Sequence, residues 1–354
     1  MPFTLALGVF MSLSDVSNPK AAAELIQQFR KRYTTKVCMA PGDDHDRTIV
    51  SAHTLSVESM LRKISSDGHV YAIGRAKKIA KDIDPIEIQR MGLRDVSVFN
   101  GFCAKHDRDL FSCLETEAFQ FTQEQIFKLA YRTVSKESYL KRKQFESLPS
   151  AEQYAEIHGI EDKLRLSDIA VMYQAGVLRG AEEIESLKQV LDGLLLTSQW
   201  SRLVTHAIIF PEVPSVLGTA TFQPYADLDG RQLQEFEDLD AEMSHIFMSV
   251  IPTDTGGAAI FSWLDTANSA PRLFFESVTR GKSLTSAVIH ALLDNAENVA
   301  FSHSWYEQLR QELKDYVFSR VIKFDGGLNQ PYSQRADDIA PDLGDWGNPI
   351  VTRF

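Results

Sequence analysis

Cys103 and His106 stand two residues apart, and Cys38 lies upstream beside His45 and His53. Two of the chain's 3 cysteines and three of its 9 histidines fall in these short stretches. A thiolate and an imidazole at that spacing can grip one tetrahedral metal ion from a single turn. Cys38 and His45 would complete four ligands and close a loop of about sixty residues. Residues 38–45 and 103–106 are therefore expected to meet, whatever the remainder of the chain does.

With 354 residues, 44% of them hydrophobic and 24% charged, the chain can bury more than one core. Three cysteines cannot build a disulfide framework, and thiolate ligands imply a reducing, cytoplasmic setting. Met1–Leu13 is apolar, lacks a basic leader and is too short to span a bilayer, so a buried first strand or an upstream start before Met11 is expected. No other run reaches membrane length. Charge is uneven: residues 1–150 hold 22 Lys+Arg against 18 Asp+Glu, and residues 151–354 hold 15 against 30. The acidic second half is a poor match for a phosphate backbone and suits a protein partner, whereas the first half could meet nucleic acid locally.

Hydrophobic spacing predicts a helix over Asn18–Tyr33, a β-like run over Thr48–Ala52, a helix over Leu55–Ile64 and a strand over His69–Ile73. Residues 75–96 read as a connector broken by Asp82–Pro85. A second ligand-bearing turn spans Phe99–His106, with a helix from about Asp107 that Asp107 would cap. Thr122 and Gln125 form a capping box, and their helix extends towards Lys141-Arg142-Lys143. Residues 150–196 read as helical, with a bend at Gly176–Gly180. Five β-rich runs follow: Thr205–Phe210, Gly218–Phe222, Ile246–Val250, Ala258–Trp263 and Leu273–Glu276. Helices are expected over Leu284–Leu293 and Trp305–Val317, the latter capped by Ser304, and an irregular acidic tail over 324–354. The fold class is α+β: a zinc-knuckle domain over 1–148, a helical linker or hairpin over 149–198, and a β-rich α+β domain over 199–354.

The order of ligand turn, strand, histidine, helix, second ligand turn and helix over residues 36–115 resembles the HNH, or treble-clef, nuclease family. A Ser-x-His element (Ser51–His53) and a Phe-Cys-x-x-His-Asp element (Phe102–Asp107) also resemble an uncharacterised bacterial family. The HNH resemblance implies structural zinc on Cys38, His45, Cys103 and His106, with Asp43 or Asp44 as alternatives to His45. It implies His53 as general base, Asn100 orienting it, and Asp107 at a catalytic metal position taking Mg2+ or Mn2+. Lys105, Arg108, Lys141, Arg142 and Lys143 are then candidate contacts to a nucleic-acid backbone.

Each of these residues also has a plainer reading. His53 could be a metal ligand or a hydrogen-bonded structural histidine, Cys113 belongs on a buried helix face, and Lys141–Lys143 suits a solvated helix end. Glu242, His245 and Trp263 carry side chains suited to a site, with no spacing that fixes their geometry. Gly-rich phosphate loops, Gly-x-Ser-x-Gly and His-Glu-x-x-His are absent. Two functions follow: a zinc-stabilised binding or sensing protein, in a bacterial defence or stress system, and an HNH-like metal-dependent endonuclease cleaving phosphodiester bonds.

Overall fold

The computed structural model describes residues 35–75, 86–148, 163–235, 243–296, 298–322 and 340–354, with isolated positions between 17 and 31 and between 150 and 156. The segment Met1–Leu13 and Glu242 lie outside the described residues, as does most of the expected helix Asn18–Tyr33.

The chain opens with β1 (Ile49–His53), a π-helical turn over Val57–Leu61 running into Arg62–Ile64, and the hairpin β2 (His69–Arg75) and β3 (Ile86–Gly92). Then come β4 (Val98–Cys103) and helices α1 (Ala104–Glu115), α2 (Gln123–Glu146) and α3 (Lys163–Leu196). Four strands follow: β5 (Leu203–Phe210), β6 (Val216–Phe222), β7 (Ile246–Thr253) and β8 (Gly256–Leu264). The remainder is α4 (Ala270–Thr279), α5 (Leu284–Asn295), β9 (Asn298–Phe301), α6 (His303–Gln308), α7 (Gln311–Ile322) and β10 (Ile350–Arg353).

β1 and β4 make a separate two-stranded sheet, with Ile49 opposite Cys103 and His53 opposite Val98. The other strands form one sheet in the order β10-β5-β8-β7-β6-β9-β2-β3, and every pairing in it is antiparallel. β2 and β3, from within residues 1–148, thus extend a sheet whose other strands lie beyond residue 200. The stitching is polar as well: the Asn298 side-chain amide donates to Oγ1 of Thr54 at 2.6 Å and of Thr219 at 2.9 Å.

Both faces of this sheet are covered. Phe247, Ile251, Ala207 and Ile260 join a core with α2, α3 and the β1–β4 unit, while Met248, Val250 and Phe261 join a second core with α4, α5 and α7. Burial on both faces explains why β7 is buried at all 8 positions and carries apolar residues on both faces, Ser249 and Thr253 apart. The sequence thus specifies a mixed helix-and-sheet protein, as expected.

Several local expectations are corrected. Leu273–Glu276 is helical within α4, because Pro271 suits a first helical turn and Phe274, Phe275 and Val278 share one buried face. α3 runs through Gly176 and Gly180 without a break. Trp305–Val317 is split at Leu309-Arg310 into α6 and α7, and Ser302, not Ser304, caps α6 by accepting from the Trp305 N–H at 3.2 Å. α1 begins at Ala104, so Asp107 sits inside its first turn and is not its cap. The tail is not wholly irregular, since β10 pairs with β5. The capping-box residue Thr122 does accept from the Gln125 N–H at 3.2 Å. No helix among the described residues is long and apolar enough to cross a membrane.

Candidate metal centre

The first ligand segment is held against β4 by backbone pairing. The Val37 N–H donates to Asn100 O at 3.2 Å, and the Met39 N–H donates to Gly101 O at 2.8 Å. Pro41-Gly42 then turns the chain, with Gly42 at φ +90°, a conformation costly for any residue with a Cβ. The second segment is anchored by β4 itself and by the Ala104 N–H, which donates to Thr48 O at 2.8 Å. Cys103 ends the strand and serves as the N-terminal cap position of α1, placing His106 one turn along.

The ligand atoms of Cys38, His45, Cys103 and His106 lie within 4.8 Å of one another. Nδ1 of His106 is 3.5 Å from Cys38 Sγ, 3.3 Å from Cys103 Sγ and 3.3 Å from His45 Nδ1. A ring nitrogen has one hydrogen or one lone pair to offer, so it cannot satisfy three such partners by hydrogen bonding. A shared cation can. Metal–nitrogen bonds of about 2.05 Å and metal–sulfur bonds of about 2.3 Å give tetrahedral edges of about 3.3 Å and 3.5 Å, matching these separations. The donor set fits a metal ion.

The surroundings favour thiolate at one cysteine more than the other. Burial opposes ionisation of Cys103, but N–H groups of His106, Asp46 and Lys105 outweigh it and draw the thiol below its ordinary value. Burial raises the Cys38 thiol despite N–H groups from Cys103 and Ala40. His106 is lowered by burial and by its neighbours His45 and Lys105, which favours the neutral ring that metal binding requires.

His53 lies outside this group. It belongs instead to a polar cluster with Asp107 on α1, Glu115 at the end of α1, and Arg132 on α2. Arg132 is 1% exposed, approaches Glu115 at 2.7 Å and lies 4.2 Å over the Phe111 ring. Glu115 also accepts from the Ser56 hydroxyl at 2.5 Å. Burial lowers His53, with Glu115 and Asp107 opposing and Arg132 reinforcing the shift. Burial raises Asp107, with Glu115 adding to it and Arg132 and His53 opposing. Nε2 of His53, Oδ1 of Asp107 and Nε of Arg132 are buried with no hydrogen-bond partner among the described residues. Among the described residues Asn100 makes no side-chain hydrogen bond to His53; the backbone of Leu93 supports the ring.

The candidate nucleic-acid contacts are all engaged by carboxylates. Lys105 pairs with Asp44, Arg108 with Asp109, Lys141 with Glu137, and Arg142 with Glu146. Lys143 is buried, with Nζ 2.7 Å from Glu146, and does not face a ligand in solvent. Among the second-half residues, His245 lines a cavity of about 500 Å3 with Arg179 and Glu183, and burial pushes its pKa down to about 4. Trp263 stacks on His206 at 5.2 Å.

Compared with protein-family models, curated proteins and solved structures, the chain has no match.

The residues that sequence reading misses are those supporting the two clusters: Glu115 and Arg132 around His53, and Tyr131, Lys188 and Asp192 behind Cys38. Arg132 and Lys188 sit within helical stripes of apolar residues. A lone basic residue on a buried face is the one signal that could have marked them.

Proposed function

We propose that Cys38, His45, Cys103 and His106 hold one structural zinc ion, and that the chain is a zinc-stabilised binding or sensing protein. The triple contact at His106 Nδ1 carries this reading. Two sulfurs and two nitrogens in a closed tetrahedral set suit zinc and leave no position for substrate. The order of parts supports a treble-clef-like unit: a first ligand turn, the two-stranded β1–β4 sheet, then α1 carrying the last two candidate ligands at its start. Carboxylates already engage the nominated cations, and the net charge is −11, which favours a protein partner over nucleic acid. Thiolate ligands suit the reducing cytoplasm.

Elemental analysis of wild type and His53→Ala tests this directly. One zinc per chain is expected in both. A wild-type protein without metal would overturn the reading.

One observation favours a second reading, an HNH-like nuclease. Burial favours neutral His53, and its Nε2 and an oxygen of the neighbouring Asp107 both lack a hydrogen-bond partner among the described residues. On this reading His53 takes a proton from water as general base, and Asp107 helps to hold Mg2+ or Mn2+. Cleavage of plasmid DNA that requires the added divalent ion and disappears in His53→Ala would establish it.

A further inference from the structure

A lysine deep in a core is costly unless every proton finds a partner. Lys188 on α3 is 2% exposed and meets that condition. Its Nζ donates to the Met39 carbonyl at 2.7 Å, to the Tyr131 hydroxyl at 2.9 Å and to Asp192 Oδ1 at 2.5 Å. Tyr131, fully buried on α2, donates in turn to the same Asp192 oxygen at 2.7 Å. Lys188 thus meets one carbonyl of the first ligand turn directly, the Tyr131 hydroxyl lies 3.5 Å from the same oxygen, and Asp192 holds both donors.

That carbonyl belongs to the Met39–Ala40 peptide. The N–H of the same peptide, that of Ala40, faces the Cys38 sulfur. The Cys103 N–H donates to this sulfur as well, at 3.3 Å. An ammonium on the oxygen side of a peptide polarises it and strengthens the hydrogen bond made by its N–H. Lys188 is therefore electrically connected to Cys38 through one peptide, without touching it.

We propose that Lys188, held by Tyr131 and Asp192, is a positioning residue for the metal centre: it fixes and polarises the Met39–Ala40 peptide behind Cys38, so that metal retention depends on how α3 is seated. The proposal rests on the reading that the Cys38–His106 group binds metal. It goes beyond that reading by assigning control of the centre to a helix that supplies none of the four ligands. Supports of this kind typically change metal affinity by about 10–100-fold.

The test uses the full chain, loaded separately with Zn2+ and with Co2+. Lys188→Met keeps the volume and removes the ammonium. It should still bind one metal per chain, with zinc affinity about 10–100-fold weaker by chelator competition. Its sulfur-to-cobalt charge-transfer band should move to lower energy, because a less hydrogen-bonded thiolate donates more strongly. Tyr131→Phe should shift both readouts in the same direction by less. A folded Lys188→Met with unchanged affinity and an unchanged band overturns the proposal while leaving the zinc reading intact. If Lys188→Met does not fold, Tyr131→Phe and Asp192→Asn decide the matter, and unaltered affinity and band in both overturn it. A wild-type chain that binds neither metal overturns the zinc reading, and this proposal with it.

Discussion

Sγ of Cys38 lies 3.5 Å from Nδ1 of His106, across 68 residues of chain. Neither residue could be brought there by local structure alone. β4 pairs with residues 37–39 on one side and with β1 on the other, and α1 springs from its end. The centre is thus a junction of three backbone segments.

Removing a ligand should release the metal and its contribution to stability. Cys103→Ser is expected to purify without zinc, and the wild type should lose the same increment when chelated. At zinc a thousandfold above its Kd, linkage makes that increment about 4 kcal/mol. Thermal melts with zinc and with chelator check this. Coincident melts for wild type would contradict a structural role.

His53→Gln should flatten the acid limb of stability. Burial lowers the folded-state pKa of His53, so the unfolded chain takes up its proton first as pH falls. The folded state is therefore penalised progressively below the unfolded value of about 6.5. Urea midpoints between pH 7 and pH 5, together with NMR titration of the His53 ring, would show a shallower decline in the variant. Identical declines would remove His53 as the source.

Asp107 works in the opposite direction. Burial raises its pKa, so its ionisation costs stability that is retained at low pH and lost as pH rises through the folded value. Asp107→Asn should accordingly raise Tm at pH 7 and have little effect near pH 3. A lower Tm at pH 7 would mean that the carboxylate makes a favourable interaction there, as a metal ligand would.

Arg132→Met should be severe. It strands Glu115, whose side chain is 34% exposed, so the loss should lie near the low end for a broken buried pair, about 2–3 kcal/mol. Arg132→Met with Glu115→Leu should recover much of that loss. Denaturant unfolding of the two single variants and the double variant tests it, and simple additivity would show that the pair does not interact.

The grouping of Cys38, His45, Cys103 and His106 was legible because it is written in short spacings: Cys103-x-x-His106, and Cys38 with His45 around a Pro-Gly turn. The strongest strands were legible for a related reason, since β7 and β8 are largely buried and apolar and β5 is mostly so. β3 was not. It is an edge strand of exposed and half-buried residues, so its alternation is weak, and it read as a connector. β9 has only four residues, too few for a periodic signal. The partners of His53 were hidden for a different reason: Glu115 and Arg132 come from helices, and only tertiary packing brings a helix-interior arginine to a strand-end histidine. Asn100 illustrates the converse, being placed by resemblance beside a histidine that its side chain does not bond.

The Asn298 amide reaches back to Thr54, 244 residues earlier in the chain, and β2 completes its pairing only with β9. At synthesis rates of about 5–20 residues per second, that interval lasts roughly 10–50 s on the ribosome. All four candidate ligands have been made by residue 106, long before the strand that closes the sheet. A nascent chain that captured zinc at that stage would carry a pinned β1–β4 pair and an open β2 edge through the rest of translation, making the ion the earliest long-range fastening in the protein's life.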